Sequence, residues 1–494
     1  MNKFPSKDIK PIISINFSEA SLFGNDAAEE EMESLFLSYA VELEELNEFL
    51  DLQAPLMIAR AYKGEGKSAL LRLVTSKIRK QPAGEILITL HGSDLTPSIT
   101  EADVDEWTRE WKKKILAVVA REIGATIGLA FTDDAISLVE DAEESGFRRR
   151  SFVSSLIDRL KSSNVPIERQ RQIPSDYEKV VQRYMEGRPL IWLIIDDVDQ
   201  NFSNTERNRT KIATFFTACR QIINTIPEIR LRTAIRPNIW AIVKPEYESL
   251  SHVEQYMRDL YWSENDLRKL LAGRIQSYLA RTSQLAAVNR VLPHEWALRE
   301  KELIAFVFDS PMPWGGRDKV RPPHVVLTTL SRNRPRWLIE LSKEAARSAK
   351  QRGRDKIGFD DIKNNLGTFG NKRIQDTVAE FKAQCPQIEE LLAAFSHQRC
   401  RYRTDELVKT IHNRIMNAVH PSIVGYVGRA SDIDVAQFLF QIGFLTARKD
   451  YGDGDYDHFT FAQKPFLLRT ATNLDEGMSW EIHPVFREAL DLRD

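Results

Sequence analysis

A lysine and a serine follow a glycine-containing loop in the segment AYKGEGKS. The segment matches the phosphate-loop pattern G-x-x-x-x-G-K-[ST] except at its first position, where Ala61 stands in place of glycine. Gly64 and Gly66 let the backbone curl so that successive N–H groups point inward and bind an anion. Lys67 is predicted to neutralise the β- and γ-phosphates, and the Ser68 hydroxyl to coordinate Mg²⁺. The segment therefore predicts a nucleoside triphosphate site, with Mg²⁺ and ATP as the expected ligands.

The residues around the loop have the order that a phosphate loop requires. An apolar strand, PLMIA, precedes it, and a helix follows over residues 69–74. The N-terminal end of that helix adds a partial positive charge for the phosphates. The predicted nucleotide contacts therefore also include Glu65 within the loop and Ala69 at the start of the helix. The alternative is a glycine-containing turn that binds nothing, which this combination of loop and flanking elements disfavours.

A second group of chemically active residues follows the most apolar strand of the chain. The apolar run LIWLII, residues 190–195, precedes the tetrapeptide DDVD. Asp196 is predicted to hold Mg²⁺ through water, and Asp197 to orient or deprotonate the attacking water. A glutamate at that position would reach one methylene further, so slow hydrolysis is expected. The role of Asp199 stays open, and an Asp-rich turn without function is the alternative for the whole tetrapeptide.

Apolar strands alternate with helices around these two groups. Further strands are predicted over residues 86–90 and 229–235, which favours an α/β fold with a parallel sheet covered by helices on both faces. A single helix is predicted over residues 27–52. Residues of about 101–185 are charged and mostly helical, with a basic triplet at 148–150, and we interpret them as an insertion.

Helices continue after the sheet, and the last stretch contains a hairpin signal. Ser263 and Asp266 form a variant of the capping box at the start of one helix. Asp-Gly pairs in the stretch KDYGDGDYDHF favour a tight turn. A chain of 494 residues is too long for one ordinary core. The expected parts are an N-terminal arm (1–26), an α/β core that carries the phosphate loop and the insertion (27–260), a helical part (261–365) and a C-terminal part with the hairpin (366–494).

The bulk composition narrows the class of protein. A net charge of −2, from 69 basic and 71 acidic residues, gives no general attraction to nucleic acid or to membranes. The three cysteines are odd in number and are not spaced as metal ligands, which indicates buried thiols in a reducing compartment. No apolar run approaches the roughly 20 residues that a membrane-spanning helix needs. The expected localisation is the cytoplasm.

Taken together, these motifs resemble the AAA+ ATPases. The order of phosphate loop, IDDVD strand end, arginine after the next strand, NRPR motif and terminal hairpin is similar to the branch of origin-recognition initiators and STAND-type signalling ATPases. Within that branch the chain resembles a bacterial group of P-loop ATPases that share FGND, KGxGKSAL, IRPNIW, LYWSENDL and NRPRWLIEL. The resemblance covers most of the chain, most strongly residues 55–74 and 190–275. It implies a P-loop αβα sandwich with a helical lid and an ATPase activity.

The resemblance also implies roles for several arginines. Arg236 falls at the first sensor position, where a polar group detects the γ-phosphate. Arg336 falls at the second sensor position in the lid, with Arg334 as the competing choice; a solvated basic helix start is the alternative for both. Arg258 lies in the region where an arginine acting across a subunit interface is expected. Trp262 matches a core position and is assigned to packing.

The C-terminal helices and hairpin resemble a winged helix. Residues 331–356 carry nine basic and three acidic residues, a net charge of +6 that a DNA backbone would attract. The predicted wing carries Asp450, Asp453, Asp455 and Asp457, which the same backbone would repel. A winged helix that contacts protein is therefore favoured over one that binds DNA.

The predicted function is an Mg·ATP-binding and hydrolysing molecular switch of the AAA+/STAND type. The resemblance implies a homo-oligomer or a separate effector protein as partner, in a bacterial signalling or anti-phage defence system. Two alternatives stay open: an initiator- or loader-like DNA-binding ATPase, and a nucleotide-sensing scaffold that does not hydrolyse. The choice between ATP and GTP, the effector and the trigger stay open at this point.

Overall fold

The computed structural model describes residues 14–18, 20–81, 85–99, 103–127, 133–147, 176–316, 318–426, 428–452, 455–469 and 475–493. The chain divides into two compact units. The sheet unit consists of Glu44–Ala61 and Leu70–Leu260, and the lid unit consists of Met1–Leu43, Tyr62–Ala69 and Tyr261–Asp494. The phosphate loop thus belongs to the lid unit, although the strand before it belongs to the sheet unit.

Short strands and helices make up most of the described residues. The strands are β1 (Leu56–Arg60), β2 (Ile86–His91), β3 (Ile191–Asp196), β4 (Ile229–Ile235), β5 (Met257–Asp259), β6 (Met312–Pro313), β7 (Val320–Arg321), β8 (Arg401–Tyr402), β9 (Leu445–Gly452), β10 (Asp455–Phe459) and β11 (Ser479–Ile482). The helices are α1 (Glu33–Tyr39), α2 (Glu45–Leu50), α3 (Lys67–Arg79), α4 (Gly92–Leu95), α5 (Val104–Thr126), α6 (Asp133–Glu144), α7 (Tyr177–Met185), α8 (Glu206–Thr225), α9 (Pro237–Val243), α10 (Glu264–Arg281), α11 (Leu285–Asn289), α12 (Trp296–Val307), α13 (Pro323–Leu330), α14 (Pro335–Gln351), α15 (Phe359–Lys363), α16 (Leu366–Phe381), α17 (Ile388–Ala393), α18 (Thr404–Ile411), α19 (Asp432–Gln441) and α20 (Pro484–Arg487).

The sheet unit contains a five-stranded parallel sheet in the order β2-β3-β4-β1-β5. The first five residues of β3 are all buried, so both of its faces are covered. Leu193 and Leu231 on one face belong to a large apolar cluster with helices α5 and α8. On the other face the buried Arg232 donates to the carbonyl oxygen of Phe49 in α2 at 2.6 Å. The parallel α/β sheet expected from the sequence is confirmed.

The helices of the predicted insertion, where the structure describes them, build part of this core. Helix α5 packs against α6, α7 and α8. Trp111 of α5 is fully buried, and its ring centroid lies 5.1 Å from that of Phe215 in α8. The basic triplet at 148–150 lies outside the described residues, as do residues 151–175. The helical character predicted for this region is confirmed in the described part.

The single helix predicted over residues 27–52 is wrong. The chain forms two short helices instead, and Ala40 between them is extended, with φ −60° and ψ 133°. Helix α1 buries Phe36 and packs against α10 in the lid unit, whereas α2 buries Phe49 in the sheet unit. Because each helix buries its own apolar residues in a different unit, tertiary packing overrides the continuous helical pattern.

The lid unit contains the helices from α10 onward and a four-stranded antiparallel sheet in the order β10-β9-β11-β8. The capping box of α10 is confirmed, with Ser263 accepting from the backbone N–H of Asp266 at 3.2 Å. The predicted hairpin is confirmed as β9 and β10, and Asp453 lies outside the described residues. The four-part division of the chain and the winged-helix assignment stay predictions.

Two further expectations concern cysteines and membrane spans. Cys219 and Cys385 are buried as predicted, whereas Cys400 is partly exposed. Among the helices that the structure describes, none combines the length and the apolar character required to cross a bilayer.

Candidate nucleotide-binding site

The phosphate loop lies between the end of β1 and the start of α3, as its sequence predicts. Gly64 and Gly66 both have left-handed backbone conformations, with φ of 82° and 92°. These values are open to glycine and costly for other residues. Helix α3 begins at Lys67, so Ser68 lies in its first turn, where backbone N–H groups have no partner within the helix. The loop therefore has the local conformation and the helix end on which phosphate binding depends.

Ala61, which departs from the phosphate-loop pattern, is accommodated by the sheet. Its N–H donates to the carbonyl oxygen of Ile235 at 3.3 Å, which continues the pairing of β1 with β4. The side chain is buried. A residue in extended pairing with a neighbouring strand does not need the left-handed freedom of glycine, and this explains why alanine fits at this position.

Hydrogen bonds within the loop join its first residues, Tyr62 and Glu65. The N–H of Tyr62 donates to Oε2 of Glu65 at 2.7 Å, and the N–H of Glu65 donates back to the carbonyl oxygen of Tyr62 at 3.2 Å. Nζ of Lys67 donates to the same carbonyl oxygen at 3.4 Å. Burial raises the pKa of Glu65, despite the nearby Arg334. The Glu65 side chain thus shapes the loop from within, and its predicted contact with nucleotide stays a prediction.

Trp262 contacts the backbone of the loop. Its indole Nε1 donates to the carbonyl oxygen of Glu65 at 2.8 Å. A Cβ added to Gly66 would lie 3.4 Å from the indole ring, so the ring is in van der Waals contact with the loop backbone. These contacts agree with the assignment of Trp262 to packing. The indole ring packs against the backbone of the phosphate loop.

The two arginines that compete for the second sensor position have different surroundings. Arg334 is 4% exposed, with Nη1 at 2.9 Å from Oε2 of Glu380 and Nε at 3.6 Å from Oε1 of Glu65. The Arg336 side chain is 38% exposed, and its Nε lies 3.7 Å from Oδ2 of Asp26. The backbone N–H of Arg336 donates to the carbonyl oxygen of Gly64 at 3.3 Å. Arg334 is therefore engaged by two carboxylates, while Arg336 lies against the loop with its guanidinium accessible.

A cavity of about 440 Å³ borders the loop within the lid unit. It is lined by charged side chains of α14 and α16, together with Asp26 and Lys63. Arg336 is one of the lining residues. Its partly exposed side chain therefore borders this cavity beside the loop.

Glu380 was not predicted from the sequence. It lies in the last turn of α16, and its Oε1 accepts the backbone N–H of Lys63 at 3.0 Å across 317 residues of chain. The local sequence, DTVAEFKA, carries no motif that indicates a role at the phosphate loop. Only the packing of α16 reveals the contact.

The acidic strand end belongs to the sheet unit. Asp196 is the last residue of β3, and its Oδ1 accepts the backbone N–H of Asp197 at 2.9 Å. Asp197 has a left-handed conformation with φ 57°. Strands β1 and β3 are parallel members of one sheet, so both end at the same edge. Asp196 therefore ends at the edge from which the chain enters the phosphate loop.

Asp199, whose role the sequence left open, anchors Arg236. The buried Asp199 carboxylate accepts the backbone N–H of Arg236 at 2.7 Å, and Nε of Arg236 lies 3.4 Å from the same oxygen. Nη2 of Arg236 donates to the carbonyl oxygen of Asp199 at 3.1 Å. Arg236 begins helix α9 as its N-cap residue. Its sensor role stays a prediction, and its guanidinium is oriented by Asp199.

Arg258, the predicted interface arginine, lies in β5. Its Nε pairs with Oε2 of Glu48, and Nη1 donates to the carbonyl oxygen of Met257 at 2.8 Å. Both side chains of the ion pair are partly exposed. The predicted action across a subunit interface is not tested by these contacts.

Most of the nine cations in residues 331–356 are engaged within the protein. Lys343 pairs with Asp26 at 2.9 Å, and Arg352 and Arg354 both pair with Asp361 at 3.4 Å. Within the described part of the chain, Arg347 and Lys350 are the members of this set without an ion pair or hydrogen bond to their side chains. The remaining cations, which are also engaged by carboxylates or backbone oxygens, are Arg332, Arg334, Arg336 and Lys356. The face available to a DNA backbone is therefore much smaller than the net charge of the segment indicates.

The acidic residues of the predicted wing are also partly paired. Asp450 lies 2.8 Å from Arg448 and also contacts Arg401. Asp455 lies 3.8 Å from Lys319. Two of the four carboxylates of the predicted wing therefore have a cation nearby.

The residues at the two predicted magnesium positions are oxygen donors of the type that Mg²⁺ prefers. Ser68 supplies a hydroxyl at the start of α3, and Asp196 supplies a carboxylate at the end of β3. Among the described residues, no group of three or more His, Cys, Asp and Glu side chains could hold a metal ion. Mg²⁺ is usually bound by one or two protein ligands together with substrate phosphates and water, and a hydroxyl and a carboxylate are donors of that kind. That Ser68 and Asp196 hold one ion stays a prediction.

Comparisons with known proteins return similar structures only. No protein-family model matches the chain, and no curated protein matches it. The ORC2 protein of Aeropyrum pernix, solved as ADPNP–ADP complexes, is 13% identical with a TM-score of 0.38, over 92% of this chain and 90% of that one. Cdc6p from Pyrobaculum aerophilum is 11% identical with a TM-score of 0.31, over 96% and 99% of the two chains. A RuvB variant from Thermotoga maritima is 11% identical with a TM-score of 0.32, over 87% and 98%.

Proposed function

We propose that the chain is a molecular switch of the AAA+ type that binds and hydrolyses Mg·ATP. The observation that carries this proposal is the conformation of the phosphate loop. Two left-handed glycines, a preceding parallel strand and a helix that begins at Lys67 occur together in the order that phosphate binding requires.

The chain would hold the nucleotide through groups with distinct tasks. Backbone N–H groups from Gly64 onward bind the phosphate oxygens, and Lys67 leaves the Tyr62 carbonyl oxygen to neutralise the outer phosphates. Ser68 and Asp196 would hold Mg²⁺, which neutralises charge on the phosphate oxygens when it is bound. Asp197 would orient the attacking water and accept its proton.

The switch would use the contacts between the loop and the lid. The backbone N–H of Arg336 donates to the carbonyl oxygen of Gly64. A change in the loop at Gly64 would therefore alter a hydrogen bond to the first turn of α14. Arg336 and Arg236 would respond to the presence of the γ-phosphate as the second and first sensors. The resulting change in the lid would be passed to a neighbouring subunit or to a separate effector protein, in a bacterial defence or signalling system.

Nucleotide binding is tested by titrating the purified chain with a non-hydrolysable ATP analogue and Mg²⁺. Lys67→Ala is expected to weaken binding about a hundredfold or more, since it removes the lysine that the motif places on the outer phosphates. Lys63→Ala is the matched control, because it removes an exposed lysine of the same loop. Equal affinities for the wild-type chain and Lys67→Ala would contradict the proposal.

Hydrolysis is tested separately by phosphate release. Turnover that persists in Asp197→Ala would remove Asp197 from the proposed chemistry. A wild-type chain that binds the analogue and releases no phosphate, with or without assembly into oligomers, would favour the nucleotide-sensing scaffold. Retention on DNA that falls steeply with salt would favour the initiator-like alternative.

A further inference from the structure

Both carboxylate oxygens of Glu380 are used in holding the phosphate loop. Oε1 accepts the backbone N–H of Lys63 at 3.0 Å, and Oε2 accepts Nη1 of Arg334 at 2.9 Å. Glu380 is 6% exposed, and Arg334 is similarly buried. One side chain from α16 thus joins the backbone of the loop to the start of α14.

A second carboxylate holds the residue before Lys63. Glu65 accepts the N–H of Tyr62, and the ring centroid of Tyr62 lies 5.3 Å from Cζ of Arg334 and 5.6 Å from the ring centroid of Phe381. The backbone N–H groups of the consecutive residues Tyr62 and Lys63 are therefore each bound to a carboxylate. The loop begins its left-handed turn at Gly64, directly after this clamped pair.

Glu380 and Glu65 are the carboxylates that contact the buried guanidinium of Arg334. Burial alone would lower the pKa of Arg334, but Glu380 and Glu65 raise it. The neighbouring Arg332 is half-buried, and desolvation together with Arg334 lowers its pKa to about 9. The buried Arg334 therefore depends on the carboxylates of Glu380 and Glu65 for compensation, and Arg332 adds a second positive charge beside it.

Only a carboxylate can satisfy both contacts at once. A carboxylate accepts hydrogen bonds on both oxygens, whereas an amide of the same shape accepts on one atom and donates on the other. Glutamine at position 380 would direct an N–H₂ group at either the Lys63 N–H or the Arg334 guanidinium. One buried donor would be left facing another donor.

We infer that Glu380 is a positioning residue for the phosphate loop, through which helix α16 sets the affinity of the loop for nucleotide. This inference rests on the nucleotide binding proposed above. Glu380 makes no predicted contact with the nucleotide; it fixes the residues that precede the phosphate-binding N–H groups. A movement of α16 that withdrew Glu380 would remove the acceptor of the Lys63 N–H and one of the two carboxylates that Arg334 contacts, so nucleotide affinity and the position of α16 are coupled.

The test compares Glu380→Gln with Asp376→Asn. Asp376 lies one turn earlier on α16 and pairs with the buried Arg373 at 3.1 Å. Among the described contacts, Asp376 has none with the loop. The Asp376→Asn variant therefore measures the general effect of neutralising a carboxylate on this helix. Affinity for the non-hydrolysable ATP analogue with Mg²⁺ is measured well below the melting temperature of both variants. Glu380→Gln is expected to raise the Kd about tenfold, and Asp376→Asn to leave it within about twofold.

A second measurement does not depend on nucleotide. In the nucleotide-free chain, amide hydrogen exchange of the segment 62–66 is expected to be faster in Glu380→Gln and unchanged in Asp376→Asn. Unchanged exchange and an unchanged Kd in Glu380→Gln, with normal binding by the wild-type chain, would overturn the inference and leave the proposed function intact. Equal weakening by both variants would also overturn it. Absence of binding by the wild-type chain would overturn the proposed function and this inference with it.

Discussion

The phosphate loop and the acidic strand end are both held by buried carboxylates, but their partners differ in sequence distance. At the strand end, Asp196 accepts from its neighbour Asp197, and Asp199 pairs with Arg236 at the end of the adjacent strand. At the loop, the partners come from far along the chain. They are Trp262, Arg334, Arg336 and Glu380.

This difference shows where each region obtains its shape. The strand end follows from the pairing of β3 with β4 and from the few residues after each strand. The loop has a local conformation set by its glycines, yet its entry is held by helices of the lid unit. Of the two regions, the loop is the one whose shape depends on distant elements, as the proposed switch would require.

The largest effect is expected from Arg334→Ala. It leaves the buried Glu380 and the partly exposed Glu65 without their shared cation, and removal of one partner from a buried ion pair costs about 3–5 kcal/mol. Denaturant unfolding measures the loss, with Arg347→Ala on the same helix as an exposed control expected within about 0.5 kcal/mol of wild type. A loss no larger than that of the control would show that the loop is held by its local sequence alone.

Asp199→Ala at the strand end is expected to cost less, about 2 kcal/mol, because Arg236 is partly exposed and regains water. Asp199→Asn keeps an acceptor for the Arg236 N–H and is expected to recover part of this loss. The same unfolding measurement compares both with Arg334→Ala. A larger cost at Asp199 than at Arg334 would reverse the comparison between the two regions.

Gly66→Ala tests the local contribution to the loop. A left-handed alanine costs about 1–2 kcal/mol. Gly353→Ala is a matched control, with φ of 64° and no atom within 4 Å of the added Cβ. Both variants are expected to lose similar stability, but only Gly66→Ala is expected to weaken binding of the ATP analogue. Normal binding by Gly66→Ala would remove this glycine from the anion-binding backbone.

The smallest effect is expected from Arg258→Ala. Its ion pair with Glu48 also joins distant residues, but both side chains are partly exposed, and such pairs contribute about 0.2–1 kcal/mol. A change of this size would show that burial, rather than sequence separation, makes the contacts of the loop strong. If Arg258 acts across a subunit interface, ATP turnover in the assembled protein will fall while unfolding is nearly unchanged. Equal turnover in wild type and variant would exclude that role.

The sequence alone predicted those features that depend on neighbouring residues. The glycines of the loop, the apolar strands β2, β3 and β4 and the capping box at Ser263 all follow from short patterns. Backbone conformation and strand burial are decided over a few residues, so the loop conformation and the parallel sheet were accessible without a structure. The helix predicted over residues 27–52 failed because its two halves pack in different units.

Tertiary structure decided which charges face the loop. The motif NRPR indicated two arginines without distinguishing them, and packing of α16 against the loop placed one of them between Glu65 and Glu380. The net charge of residues 331–356 indicated a basic face. Several of these cations form ion pairs with Asp26 and Asp361, which reduces the positive charge available to a partner. Spacing along a chain does not indicate which carboxylates pack against which arginines and lysines, and the energy of a charge depends on those partners and on its burial. The sequence by itself therefore determined that a phosphate loop is present, and only the fold determined what holds that loop.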